Sequence, residues 1–348
     1  MRKILFIILS APYFLFCQQV TETTIMHNGL ERSYILYVPA SYSTNIETPL
    51  VLNLHGYSSN AGQQMIYSNF YPIADEEGFI LVHPEGTTDL NGFQFWNSGE
   101  LSEVDDVGFL STLIDQIALE FNINLNRVYS MGMSNGGFMS YRLACELSDK
   151  IAAIASVTGS MSTNQITSCN PDRPVPVMQI HGTADPTVLY DGNNLLSIES
   201  IDNVISFWVN FNNCNTVPEF NNIPDINLLD LCTAEHYIYQ NGTNDSSVEF
   251  YKIINGGHTW PGALIPLTAN NTNQDFNASE KIWDFFNQYD INGLINNTSI
   301  NESTIENKKT IYTIDLLGRK NTNSNIYIEL YSDGTSAKRF IINPNAKK

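Results

Sequence analysis

Ser134 lies in Gly132-Met133-Ser134-Asn135-Gly136, a G-x-S-x-G pattern. The apolar run Arg127–Met131 precedes it and the helical pattern Asn135–Leu147 follows it. In that strand–turn–helix context a sharp turn lifts a serine hydroxyl above the end of a sheet, and residues crowded by the turn must lack a Cβ, which Gly132, Gly136 and Gly137 do. The chemistry offered is nucleophilic attack on an acyl carbon. A serine hydroxyl is a weak nucleophile unaided and needs a base, which a carboxylate in turn must orient.

Downstream, the strand-like run Val175–Ile180 ends at His181-Gly182-Thr183-Ala184-Asp185, and Asp185 occupies the loop position of such an acid. Asp191 is its nearest rival but reads as an ordinary Asp-Gly turn. Val248–Ile254 leads into Gly256-Gly257-His258-Thr259-Trp260, so His258 is the candidate base. His236 falls in an alternating stretch and reads as a packing or surface residue, and His181 as a residue shaping the acid's loop. A tetrahedral intermediate would also need N–H donors for its oxyanion. The N–H of Asn135, at a helix start, and that of Tyr57, after Leu54-His55-Gly56, are the candidates. Trp96 and Trp260 are expected to line the substrate pocket. Asp105 and Asp106 open a helix and read as caps rather than metal ligands. No CxxC or Cys/His cluster with zinc spacing is present, so neither metal nor cofactor is expected.

The elements that must position these groups are strand-like runs (Arg32–Val38, Leu50–Leu54, Phe79–His83, Arg127–Met131, Ile151–Val157, Val175–Ile180, Val248–Ile254) alternating with helical patterns (Ala61–Ala74, Val107–Phe121, Asn135–Leu147, Ile198–Phe211, Ser279–Tyr289). Near-continuous apolar strands predict an α/β fold with a mostly parallel central sheet and helices on both faces. Asn212–Leu231 reads as a long loop. The 348 residues are 43% hydrophobic and 15% charged, ample for a large core, and the net charge of −19 argues against nucleic acid and anionic membrane as partners.

Arg2 and Lys3 followed by the apolar run Ile4–Phe16 read as an export signal, too short to span a bilayer. Cleavage near Cys17–Gln19 is expected; a lipoprotein reading would use Cys17, but Phe16 stands where a small residue is needed. Of the five cysteines, four remain after Cys17, an even number consistent with disulfides in an exported protein. Three pairings are open; Cys145–Cys169 and Cys214–Cys232 are expected because each closes a short loop, against the alternative of free buried thiols. The resulting domain plan is a signal over 1–19, a main α/β domain over 20–290, a polar linker over 291–309 and a short β-rich tail over 310–348.

Taken in order, Leu54-His55-Gly56, Trp96-Asn97, Asp105–Phe109, GMSNGG at 132–137, HGTAD at 181–185 and GGHTWPG at 256–262 resemble the polyhydroxybutyrate depolymerases and feruloyl or acetylxylan esterases, from about Arg32 to about Tyr289. The resemblance implies an α/β-hydrolase fold and a metal-independent serine mechanism with Ser134 as nucleophile, His258 as base and Asp185 as acid. One departure is Tyr57, where many relatives carry a cysteine: a backbone donor survives that change, a disulfide to that loop does not. The tail, with Ile314–Lys320, Ile326-Tyr327-Ile328 and Asp333-Gly334, resembles a shortened sorting domain of the type IX secretion system, implying that machinery as a partner. The expectation is therefore a secreted serine esterase acting through an acyl-enzyme on polysaccharide-linked feruloyl or acetyl esters or on polyhydroxyalkanoate-type polyester, without membrane insertion. A non-catalytic polysaccharide-binding protein and a serine peptidase on the same scaffold are the alternatives.

Overall fold

The computed structural model describes residues 19–99, 102–265 and 270–295, and the strands at 310–314, 326–331 and 336–340. Residues 1–18 of the expected signal lie outside the described residues, and Gln19, its expected last residue, already belongs to a strand. The chain separates into two compact units, residues 1–295 and 296–348.

The first unit is built on a ten-stranded sheet. Its centre is six parallel strands: β3 (Thr48–Leu54), β4 (Ile80–Pro84), β7 (Ile123–Met133), β8 (Ala153–Val157), β9 (Val177–Gly182) and β12 (Val248–Ile254), in the spatial order β4-β3-β7-β8-β9-β12. Strands β3, β8 and β9 are buried along their whole length; apolar residues dominate each run, and the polar Asn53, Ser156, Gln179 and His181 within them are buried as well. Antiparallel strands extend both flanks: β1 (Gln19–His27) and β2 (Leu30–Val38) beside β4, and β11 (Thr233–Tyr239) and β10 (Glu219–Asn222) beside β12. Two short hairpins complete the unit, β5–β6 (Thr87–Thr88, Gln94–Phe95) and β13–β14 (Tyr289–Asp290, Gly293–Leu294).

Helices cover both faces. Alternate residues of β3 point to opposite layers, Leu50, Leu52 and Leu54 to one and Val51 to the other. The first layer packs against α3 (Asp106–Glu120), α4 (Asn135–Glu146) and α6 (Ile201–Phe211); the second packs against α1 (Ala61–Ser68), α2 (Tyr71–Glu77) and α7 (Ala278–Phe286). A short α5 (Thr163–Ser168) follows β8. No helix among the described residues is long and apolar enough to cross a membrane.

Three expectations need correction. The single helix expected over Ala61–Ala74 is two, because Asn69 turns left-handed at φ 45° and Pro72 sits near the start of α2. The expected loop Asn212–Leu231 contains edge strand β10. Most directly, Cys214 and Cys232 are not bonded: both are free and buried, Cys214 in the α6-side layer and Cys232 in the α7-side layer, so the sheet itself separates them. The segment between them is held instead by Asp275, whose Oδ1 accepts from the N–H groups of Ile226 (2.8 Å) and Asn227 (3.0 Å), and by Asp230 Oδ2, which accepts from Gln274 N–H (2.7 Å). The other expected disulfide, Cys145–Cys169, is present and joins α4 to the end of α5. The second unit holds a three-stranded antiparallel sheet of β15 (Thr310–Ile314), β16 (Ile326–Tyr331) and β17 (Ser336–Phe340).

His83 is buried in β4 with neither ring nitrogen partnered among the described residues, and burial lowers its pKa to about 3. The unfolded chain binds a proton there below about pH 6.5, which the folded chain refuses until about pH 3. Stability is therefore complete above that window and falls as the pH drops through it. His83→Leu should flatten the acid limb of stability against pH by up to ~1.4 kcal/mol per pH unit. Urea unfolding between pH 7 and 4 measures this, and an unchanged slope would contradict it.

Candidate active site

The turn at Ser134 joins β7 to α4 with φ 53° and ψ −120°, a strained conformation for a residue with a side chain. It persists because β7 and α4 are pressed against β3: a Cβ on Gly136 would sit 2.2 Å from Leu54 O. The strain holds Ser134 half-buried at the carboxyl ends of the parallel strands. Backbone bonds then run across that rim. Ser134 N–H donates to Val157 O (2.8 Å), Thr158 N–H to Ile180 O (2.8 Å) and Ala184 N–H to Gly256 O (2.9 Å), linking the serine turn through β8 and β9 to the loop after β12.

Two of the three expected chemical groups meet on that rim. His258 Nδ1 lies 2.8 Å from Asp185 Oδ2. A carboxylate oxygen only accepts, so Nδ1 carries the proton and Nε2 is left as an acceptor. Asp185 Oδ1 accepts from the N–H groups of Thr187 (2.8 Å) and Val188 (2.9 Å), which fixes the carboxylate plane. Ser134 Oγ forms no hydrogen bond with a described residue, so its link to His258 is not made in this conformation.

Beneath Asp185 runs a buried polar chain that sequence reasoning identified only in part. His181 Nε2 donates to Val188 O (2.8 Å) and lies 3.5 Å from Asp185 Oδ2. Its Nδ1 accepts from Gln179 Nε2 (3.0 Å), and Gln179 Oε1 accepts from the Tyr141 hydroxyl (2.6 Å). Burial lowers the pKa of His181, so the ring is neutral, in agreement with its bonding. A glutamine in the otherwise apolar run Val177-Met178-Gln179-Ile180 was the available signal.

On the other side of Ser134 stands the loop after β3. A Cβ on Gly56 would approach Ser134 Cβ to 3.4 Å. His55 is buried; its Nδ1 donates to Gly56 O (2.8 Å) and its Nε2 accepts from Gly86 N–H (2.9 Å). In a trans peptide the N–H opposes the C=O, so anchoring Gly56 O to the imidazole turns Tyr57 N–H away from His55. Neither Tyr57 N–H nor Asn135 N–H donates to a described residue. The Asn135 side chain serves a different purpose, unforeseen in the sequence: Oδ1 accepts from Trp96 N–H (2.6 Å) and Nδ2 donates to Trp96 O (3.1 Å) and Ser98 Oγ (3.0 Å).

Trp96 and Trp260 do not line a pocket, contrary to expectation. Each is 1% exposed, with its indole N–H committed internally, Trp96 Nε1 to His55 O and Trp260 Nε1 to Ser279 Oγ, both at 3.0 Å. They brace the two loops from behind. Asp105 caps α3 by accepting from Gly108 N–H (2.8 Å). Asp106 is fully buried and joins Arg32 Nη2 (2.7 Å) and Asn97 N–H (2.7 Å), tying the Trp96 loop to β2. His236 stacks on Tyr251 at 4.0 Å and bonds Glu249 at 2.8 Å, away from the other groups. No group of three or more His, Cys, Asp or Glu side chains is gathered for a metal among the described residues.

The parallel sheet, its two helical layers and a serine on the β7–α4 turn define an α/β-hydrolase scaffold. The profile of the family described as Esterase PHB depolymerase matches residues 32–207, just over half of the chain, and the protein belongs to that family. It is 34% identical over 162 residues to the bifunctional acetylxylan esterase/xylanase XynS20E of Neocallimastix patriciarum, covering 47% of this chain and 22% of that protein. It is 28% identical over 237 residues to feruloyl esterase B of Piromyces equi, covering 65% of this chain and 42% of that protein. The chain thus spans less than half the length of either relative. The acetyl xylan esterase from Aspergillus awamori shares the fold, with a TM-score of 0.56 at 13% identity over 77% of this chain and 99% of that one.

Arg32 and Asp106 are 3% and 0% exposed in their side chains. Arg32→Ala would strand a buried carboxylate beside the Trp96 loop and is expected to cost about 3–5 kcal/mol. Urea unfolding at pH 7 measures the loss, and a change below about 1 kcal/mol would show that water or another group replaces the guanidinium.

Proposed function

We propose that the protein is a carboxylic ester hydrolase that works through an acyl-enzyme on Ser134. The observation that carries this reading is the 2.8 Å contact between His258 Nδ1 and Asp185 Oδ2 on the rim that holds the strained Ser134 turn. His258 Nε2 takes the hydroxyl proton as Ser134 Oγ attacks the ester carbonyl, and Asp185 stabilises the resulting imidazolium. The tetrahedral oxyanion is received by the N–H groups of Asn135, at the start of the twelve-residue α4, and Tyr57. The alcohol leaves with the proton from His258, and water activated by the same imidazole releases the acid. The backing network fixes these groups before substrate arrives, so little reorganisation is required during reaction.

The names of the similar proteins favour feruloyl or acetyl esters of plant polysaccharide, and the family description keeps aliphatic polyester beside them. An extracellular location is part of the proposal, supported by the Arg2-Lys3 start with its apolar run and by the Cys145–Cys169 disulfide. The resemblance of the tail to a sorting domain supports passage by the type IX machinery.

Ser134→Ala should lower kcat/KM for p-nitrophenyl acetate by at least about 10³-fold while the unfolding midpoint holds. Equal rates in the two proteins would overturn the assignment. A panel of methyl ferulate, acetylated xylan and hydroxybutyrate oligomers ranks the substrates. His55→Ala frees the Gly56 carbonyl and should reduce kcat on the order of 10²-fold with KM little changed, because the Tyr57 donor is then aimed by chance. A loss confined to KM would contradict that role.

A further inference from the structure

Between α6 and the face of β11 and β12 opens a cavity of about 330 Å³ that the proposed reaction does not use. Its walls are aromatic: Tyr190, Tyr237, Tyr239 and Phe250. Three of these rings are near-parallel, with Tyr237 and Phe250 at 6.1 Å and 23° and Phe250 and Tyr190 at 6.4 Å and 26°. The exposed Phe220 continues the series at 5.1 Å from Tyr237. Polar groups face the same space: Asp202, Lys252 and Ser206. One Asp202 oxygen accepts from the Tyr190 hydroxyl (2.5 Å), leaving the other available. The Lys252 ammonium lies 4.8 Å from the Tyr190 ring centroid and pairs with no carboxylate among the described residues.

The lining restricts what can bind. An anion would meet Asp202 and a cation would meet Lys252. A purely apolar guest would strip water from carboxylate, ammonium and hydroxyl without replacing it. A neutral ring with C–H groups on its faces and hydroxyls around its edge satisfies both demands: its faces lie on the negative faces of aromatic rings, and its hydroxyls donate to Asp202 and accept from Lys252. The cavity volume is within the range of small-molecule clefts. The place is also informative. Tyr190 belongs to the loop that carries Asp185, its ring is 6.3 Å from that of His181, and Lys252 lies on the strand that leads to His258.

We infer that this cleft is a subsite for a sugar residue of a neutral polysaccharide, holding the glycan chain while an ester it carries is cleaved at Ser134. The inference rests on the ester-hydrolase reading only for its purpose; the binding is tested separately. Native gel electrophoresis of the whole protein in gels with and without soluble neutral arabinoxylan gives the binding constant, and p-nitrophenyl acetate hydrolysis is followed in parallel. Ser206→Trp, on the exposed face of α6, fills the mouth, and Lys252→Met removes the ammonium. Retardation of the parent protein is expected, weakened at least about tenfold in both variants, with p-nitrophenyl acetate turnover within about twofold of the parent. Absence of retardation in the parent, or equal retardation in the variants, overturns the subsite. Loss of p-nitrophenyl acetate hydrolysis in the parent would instead overturn the ester reading and leave the binding result standing.

Discussion

Asp185 and His258 are 73 residues apart in the chain and 2.8 Å apart in space. That contact constrains much of the architecture. It requires β9 and β12 to be neighbours, although α6, β10 and β11 intervene between them in sequence. It requires the loops leaving these strands to interleave at van der Waals limit: a Cβ on Gly182 would lie 2.2 Å from Gly256 O. It also requires a carboxylate with a side chain fully shielded from solvent to find acceptable company. Two backbone N–H groups on Oδ1 and the imidazole on Oδ2 meet that demand, since a buried carboxylate is tolerated only when hydrogen-bonded.

Around the site the same solution recurs, with polar groups taken out of water and spent on holding backbone. His55 anchors Gly56, Trp96 anchors His55, and the Asn135 side chain anchors Trp96. Asp106 and Arg32 anchor the adjoining segment at Asn97. Gln179, Tyr141 and His181 form a second chain under the acid. Such networks are costly if incomplete and rigid when complete. Rigidity is what holds the strained serine turn in place, and under the proposed mechanism it would also keep the Tyr57 and Asn135 N–H groups aimed, because a donor that must reorient during reaction contributes less to stabilising developing charge.

The central sheet was legible because its strands carry short, dense apolar runs that end at Gly, Pro or polar residues, and length and flanks separate these from buried helices. Ser134, Asp185 and His258 stand out as candidates in the sequence because each follows such a strand at a glycine-bearing loop, and the structure brings Asp185 and His258 into contact. What escaped notice is informative. Strand β2 is among the expected strands, but β1 and the turn that joins them are not, although Asn28-Gly29 between alternating runs is a strong turn signal, with φ values of 49° and 80°. The Cys214–Cys232 pairing failed because closeness in sequence says nothing about the face of the sheet on which each thiol falls. The tryptophans were misplaced because side-chain type gives no indication of whether a large ring beside a reactive residue faces the guest or the core; their indole N–H partners decide it. The aromatic cleft was invisible for a similar reason, since it is assembled from one loop, one helix and two strands.

The most direct measurement is labelling with a fluorophosphonate probe followed by peptide mapping. An activated serine forms a phosphonyl adduct, whereas an ordinary surface serine does not. The account predicts one adduct, on the peptide that carries Ser134, formed by the intact protein and lost in His258→Ala. An adduct on a different serine, or none on a folded protein, would contradict it.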